Sequence, residues 1–282
     1  MSNVIAQSSA SYQRIHGLLE LPKLTDNVII KDALKGNINL NNVSVMYGQK
    51  SVLKNINFSV DAGSTLAIIG PTAAGKTQLL YLLTGLINAT ERTVEFDRKS
   101  IDSYNKENFY SHVGFVFQDS IIFNMSIREN IAFSDKVTDE SLAKATATAE
   151  LKDYIDSLPN KLNTVVSERG TSLSGGQKQR IMLARALAIN PKILLLDDFT
   201  ARVDSNTEIK ILNNVRENYP GITLISVTQK ISSAENFDQV IVLMEGEIVA
   251  TGTHKELMNT SPEYVQIFNS QQSTSNYELQ PQ

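Results

Sequence analysis

Apolar and polar positions along this chain fall into two alternating regimes. From Ile38 the pattern is that of strands: Ile38 to Leu40, Val43 to Tyr47 and Ile56 to Val60, with Gly48 and Asp61-Ala62-Gly63 as turn signals. The apolar runs Leu66-Ala67-Ile68-Ile69, Thr93 to Phe96, Val113 to Phe117, Ile222 to Val227 and Val240 to Met244 predict further strands. Ile193 to Leu196 reads as a strand buried on both faces. Helical spacing follows Leu66–Ile69 at Gln78 to Leu83 and returns at Asp204 to Asn218. Between Thr138 and Asn190 the reading is mostly helical, with an alanine-rich stretch from Ser141 to Leu151, a break at Leu158-Pro159-Asn160 and a long helix after Gly176. That block interrupts a strand and helix alternation, so it predicts a separate lobe, about residues 119–190. Gly246 marks a hairpin into Ile248-Val249, and Thr253 opens a last helix through His254-Lys255-Glu256-Leu257.

The chain ends read differently. Residues 1–35 look like a tether, with a short helix over Ser8 to Glu20 stopped by Leu21-Pro22-Lys23 and His16 as a surface or packing residue. Residues 271–282 are polar and predict a disordered tail. Residues 36–270 form the body between them. An apolar content of 41% over 282 residues can build an ordinary core. A net charge of -4 gives no basic field for nucleic acid, and no apolar run is long enough for a membrane span. Zero cysteines exclude disulfides and thiolate metal sites, and the start lacks the basic and apolar regions of a signal peptide.

Candidate chemistry centres on Gly70 to Thr77, GPTAAGKT, which meets every fixed position of the phosphate-loop pattern and sits between a strand and a helix. Holding a triphosphate requires successive backbone N–H groups and a helix N-terminus aimed at the anion. Gly70 and Gly75 permit the wrap, Lys76 supplies a cation to the β and γ phosphates, and Thr77 supplies a hydroxyl to Mg²⁺. Pro71, Thr72, Ala73 and Ala74 complete the loop and Gln78 follows it in the binding set. Ile193-Leu194-Leu195-Leu196-Asp197 is an apolar strand ending in a carboxylate, which delivers Asp197 to the same sheet edge as a direct or water-bridged Mg²⁺ ligand. Tyr47 could stack on a purine, or pack in the core as lone strand-end tyrosines do.

Leu173-Ser174-Gly175-Gly176-Gln177 opens the helix after it with a second anion-binding terminus, too far along the chain to serve the same phosphates. That predicts two copies facing each other, each clamping the nucleotide held by the other. A plain helix cap explains Ser174 but not the whole pentapeptide.

GPTAAGKT, Gln118, LSGGQ, ILLLD and Ala201-Arg202-Val203-Asp204, in that order, resemble the nucleotide-binding domain of ATP-binding cassette transporters over roughly Ile38 to Phe268. The resemblance implies an α/β fold: a phosphate-loop NTPase with a RecA-like core, an antiparallel β subdomain and an inserted α-helical lobe. It assigns Tyr47 to adenine stacking, Gln118 to linking the Mg²⁺ site with the transmembrane partner, and Ser174, Gly175, Gly176 and Gln177 to the ATP of the opposite subunit. Ser167-Glu168-Arg169-Gly170, the stretch Gln118 to Ile131, and the Ser11-Tyr12-Gln13-Arg14-Ile15 linker with Leu18-Leu19 resemble exporters in particular. Implied are ATP and Mg²⁺ as cofactors, the transmembrane domain of the same half-transporter as partner, and a second half-transporter in a homodimer or a favoured heterodimer. A place at the cytoplasmic face of the cell membrane goes with these.

Two positions depart from the family pattern. Asp198 stands where a glutamate polarises the attacking water, and Gln229 stands where a histidine contacts the γ phosphate. Losing a methylene withdraws the carboxylate by about 1.5 Å, and a misplacement of about 1 Å can cost on the order of a hundredfold in rate. An amide still donates a hydrogen bond but has no titrating proton. The expectation is binding without efficient hydrolysis, in a half whose own catalytic residues are altered while the signature serving a partner is intact. A tolerated variant of an active site is the plainer alternative. Arg202, where a small or apolar residue is usual, puts the cross-subunit contact in doubt. Rival readings are an importer ATPase, a soluble ATP-driven clamp acting in DNA repair or translation, and a nucleotide-gated regulatory domain.

Overall fold

The computed structural model describes residues 32–119, 121–166 and 172–278, together with Ser9, Tyr12, Gln13, Ile15, His16 and Ile30. Strands β1 (Ile38–Tyr47) and β2 (Lys50–Val60) pair antiparallel, Ile38 opposite Val60 and Tyr47 opposite Lys50. The two runs read in sequence as Ile38–Leu40 and Val43–Tyr47 are one strand. Between them Asn42 adopts φ 52° at a register shift, and its amide and carboxamide bond Asn57. Asparagine tolerates this left-handed geometry, so a bulge stands where the sequence suggested a break. β4 (Val94–Phe96) adds to β1 and β5 (Lys99–Ser100) to β4, completing a four-stranded antiparallel sheet.

The second sheet has six strands in the order β10, β9, β3, β8, β7, β6. β3 (Thr65–Ile69), β6 (Val113–Val116), β7 (Ile193–Asp197), β8 (Thr223–Val227) and β9 (Gln239–Met244) are parallel to their neighbours, and β10 (Glu247–Gly252) closes one edge antiparallel. Every residue of β3, β7 and β8 is buried. Strand periodicity sends alternate side chains to opposite faces: Ala67, Ile69, Leu194, Leu196 and Leu224 join one core, and Leu66, Ile68, Ile193, Leu195 and Ile225 the other. The second core is shared with the antiparallel sheet and with α1 (Lys76–Leu83).

The first core is shared with the helical block: α3 (Ile127–Ile131), α4 (Asp139–Thr148), α5 (Lys152–Ser157) and α6 (Gly175–Ala188), which follow α2 (Lys106–Tyr110) in the chain. Leu142, Ala145 and Ile181 belong to the same apolar cluster as Ala67 and Leu194. The block therefore projects from one sheet face without a core of its own. Capping boxes at Ser126 and Thr138 fix the starts of α3 and α4.

α7 (Ser205–Asn218), α8 (Ile231–Ala234) and α9 (His254–Thr260) complete the alternation. α9 is not the last helix. Ser261 Oγ accepts from the Tyr264 amide, Pro262 starts the next helix, and α10 (Pro262–Glu278) runs past Gln271 into the stretch read in sequence as tail. Residues 279–282 lie outside the described residues. At the other end Ser9, Tyr12, Gln13, Ile15 and His16 are helical, and Ile30 bridges Tyr104 while Leu34 is buried against the antiparallel sheet. Among the described residues no helix is long and apolar enough to cross a membrane.

Candidate functional site

The carboxyl ends of β3, β8 and β7 lie side by side, and the loops leaving them form one edge. This is where an open parallel sheet places ligands. β3 feeds Gly70–Gly75. A side chain at Gly70 would put its Cβ 2.0 Å from the Leu243 carbonyl oxygen, and Gly75 combines φ 101° with a would-be Cβ 3.1 Å from the Val52 carbonyl. Both glycines are thus required by the neighbouring backbone, independently of any ligand. The Gly246 amide bonds the Ala74 carbonyl at 3.0 Å, so the β9–β10 hairpin holds the loop from outside. Lys76 begins α1, is buried, and donates Nζ to the carbonyls of Gly70 (2.8 Å) and Pro71 (2.7 Å). Burial pulls its ammonium pKa down, with Asp198 and then Asp197 opposing the shift.

Thr77 donates Oγ1 to Asp197 Oδ1 at 3.3 Å. Asp197 is 1% exposed and its other oxygen, Oδ2, is buried without a hydrogen-bond partner. Burial raises the pKa of this carboxyl, with the Thr77 bond opposing and Asp198 reinforcing. A buried carboxylate oxygen with nothing to bond, beside a threonine hydroxyl, fits a hard divalent cation. Magnesium takes few protein ligands and fills its remaining positions with water and phosphate oxygens. No cluster of three or more His, Cys, Asp or Glu able to hold a metal occurs among the described residues.

Asp198 follows on the strand end at φ 47°, its amide on the Val227 carbonyl at 3.1 Å. A non-glycine residue held there stores about 1–3 kcal/mol of strain. Its Oδ2 accepts from Gln229 Nε2 at 3.3 Å, so the two residues that depart from the family pattern touch each other. Burial raises the Asp198 pKa, and Lys76, Gln229 and Lys230 act against it.

The remaining sequence candidates are more dispersed. Tyr47 closes β1 with an exposed ring, 51% accessible. Gln118, two residues beyond β6, is exposed and lends its carbonyl to Gln179 Nε2; among the described hydrogen bonds none joins its side chain to Thr77 or Asp197. Ser174 and Gln177 form a complete capping box, Ser174 Oγ accepting from the Gln177 amide and Gln177 Oε1 from the Ser174 amide. A Cβ on Gly176 would lie 2.9 Å from the Arg202 carbonyl oxygen, and one on Gly175 3.3 Å from Arg202 Cδ. Helix capping and the close approach of Arg202 therefore give each residue of Ser174–Gln177 a local reason, more than sequence reading allowed. Ser167–Gly170 lies outside the described residues.

Sequence reading missed two residues behind Gln229. Glu208, 2% exposed on α7, lies 3.7 Å from Lys230 Nζ and accepts a hydrogen bond from Ser233. Its signal was a carboxylate on the stripe completed by Ile211, Leu212 and Val215. The other is Gln271 of α10, which bonds the backbone of Gln229 and Ile231. Nothing in its polar surroundings marked it.

A phosphate loop on a parallel sheet, with a strand-end aspartate bonded to the loop threonine, defines a phosphate-loop NTPase. Residues 53–201, more than half of the chain, match the ABC transporter family. Over 95% of its length the chain is 35% identical to an uncharacterised ABC transporter ATP-binding protein, YknU, of Bacillus subtilis, covering 47% of that protein. It is 33% identical over 96% of its length to an ATP-dependent lipid A-core flippase of Desulfotalea psychrophila, covering 48%. Among solved structures, a bacterial Atm1-family ABC exporter with ATP bound superposes with TM-score 0.87 at 31% identity, over 95% of this chain and 48% of that one. The chain belongs to the ABC transporter family and carries its ATPase fold. It spans about half the length of each of these three proteins.

Proposed function

We propose that this chain is the ATP-binding half of an ABC exporter subunit, closing on a second half around nucleotide, and that its own composite site holds ATP longer than it hydrolyses it. Its partners are then the transmembrane domain of the same subunit and a second half-transporter, with a heterodimer favoured, and its place is the cytoplasmic face of a membrane. The exporter assignment is supported by the flippase and the Atm1-family exporter among the similar proteins. The observation that carries the slow-site reading is the Asp198–Gln229 pair at 3.3 Å beside Lys76 and Asp197.

In this reading the loop amides and Lys76 bind and orient the triphosphate, with Lys76 exchanging its carbonyl partners for phosphate oxygens. A magnesium ion held by Thr77 and Asp197 would neutralise phosphate charge. Asp198 is the candidate base for the attacking water. Burial raises its pKa, which favours proton acceptance; the limit in this reading is reach. The short side chain is fixed by a left-handed backbone and one oxygen is taken by Gln229. Gln229 can orient a γ-phosphate oxygen but cannot exchange a proton with it.

The test is MgATP turnover of the parent chain and of Asp198→Glu with Gln229→His, at matched nucleotide affinity. The account expects turnover in the double variant to rise at least tenfold, within the roughly hundredfold range associated with a misplacement of about 1 Å. Equal rates would remove the slow-site reading and leave a tolerated variant of an ordinary site.

A further inference from the structure

The segment after β8 is held from three directions. The Thr228 amide donates to the Ile68 carbonyl at 3.1 Å, tying it to the strand that feeds the phosphate loop. On α7, Glu208 faces Lys230 and Ser233. The third hold comes from α10, where the Gln271 carboxamide bridges two backbone groups: Nε2 donates to the Gln229 carbonyl at 2.5 Å, and Oε1 accepts from the Ile231 amide at 2.9 Å. These partners are 42 and 40 residues away in sequence, so the bridge joins elements that the chain itself does not.

The helix presenting Gln271 is itself anchored. Tyr264 is fully buried and its hydroxyl lies 2.7 Å from His254 Nδ1 of α9. Phe268 packs on the same histidine ring, with centroids 6.0 Å apart. Positions 264, 268 and 271 share one helical face, so a glutamine occupies the third place of a stripe whose first two places are aromatic. Both hydrogen-bonding ends of its amide are used, and each on a main-chain group. We infer that Gln271 is a positioning residue for hydrolysis. By fixing the backbone on both sides of Lys230, it sets the height at which the residue-229 side chain meets Asp198 and the γ phosphate. Because it grips main chain, it acts equally on glutamine or histidine at position 229.

The inference rests on the site reading above, and the test separates the two. In the complete transporter in which this chain supplies the only intact phosphate loop, kcat and KM for MgATP are measured for the parent, Gln271→Met and Gln271→Glu. They are measured both with the native residues and in the Asp198→Glu, Gln229→His background. Methionine keeps the volume and loses both bonds, while glutamate keeps the acceptor and loses the donor. Gln266→Ala, an exposed change on the same helix, is the control. The expected result is a five- to tenfold fall in kcat for both Gln271 variants in both backgrounds, with KM within twofold, faster hydrogen exchange at the Ile231 amide, and no change for Gln266→Ala. Unchanged kcat overturns the inference, and so does a rise in KM that accounts for the whole loss, which would mark a binding or folding effect. Lys76→Ala reports on the underlying reading: if it weakens MgATP binding on the order of a hundredfold while Gln271→Met is silent, only the positioning role fails. If Lys76→Ala leaves MgATP affinity unchanged, the site itself is misassigned and this inference falls with it.

Discussion

The proposed phosphate-gripping part of the site and its proposed hydrolytic edge are built in different ways. Gly70 and Gly75 are dictated by close backbone approaches, and Lys76 is held by two hydrogen bonds to loop carbonyls. The side chains of Asp198 and Gln229 meet in a 3.3 Å contact, and the segment after β8 that carries Gln229 is bonded from behind by Gln271. A site can therefore keep its affinity while its rate drifts. The loop glycines proposed to bind are also needed by the fold, whereas the Asp198 and Gln229 side chains answer chiefly to each other.

The comparison breaks most visibly at Gly70. Gly70→Ala places a methyl 2.0 Å from a backbone carbonyl oxygen, and an overpacked backbone contact of this kind costs about 3 kcal/mol. Chemical denaturation should show that loss without any nucleotide present. Lys76→Ala comes next: removing the one cation in the loop should weaken MgATP binding on the order of a hundredfold, read by calorimetry, with the fold retained in circular dichroism.

Asp197 sharpens the contrast through pH. Its folded pKa is raised, chiefly by burial, so the folded chain holds its proton more tightly than the unfolded chain. Stability contributed by the protonated form is then present below the ordinary aspartate value of about 3.9 and is lost as pH rises through the folded value. Stability without metal should fall across that window, less steeply in Asp197→Asn. At neutral pH, MgATP should raise the melting temperature of the parent but not of Asp197→Asn. The smallest expected change is at Glu208→Gln. Lys230 is part-exposed, and the buried carboxylate carries its own desolvation cost, so stability should move by about 1 kcal/mol or less. A drop above about 3 kcal/mol in urea unfolding would show that the brace behind the switch is stronger than its 3.7 Å separation indicates.

Legibility in the sequence followed the same division. GPTAAGKT and ILLLD were readable because each motif is contiguous in sequence, the first in the loop and helix start after β3 and the second in β7. The five parallel strands were readable because both faces are buried, which leaves unbroken apolar runs. The gap between Ile38–Leu40 and Val43–Tyr47 read as a break between two strands because a bulge and a turn use the same residue types. The helical block shares its core with the sheet through Leu142 and Ile181, a partnership that helical periodicity cannot reveal. The hold of Gln271 on the segment after β8 was invisible because a glutamine in a polar stretch becomes informative only when folding brings it to a backbone 40 residues away.

The most direct measurement is the identity of the nucleotide kept at this phosphate loop. The assembled transporter is incubated with a photoreactive ATP analogue and magnesium, washed, crosslinked, and the label on the peptide carrying Tyr47 is resolved as triphosphate or diphosphate over time. The account predicts triphosphate persisting through many turnovers of the complex; prompt conversion to diphosphate at this chain would contradict it.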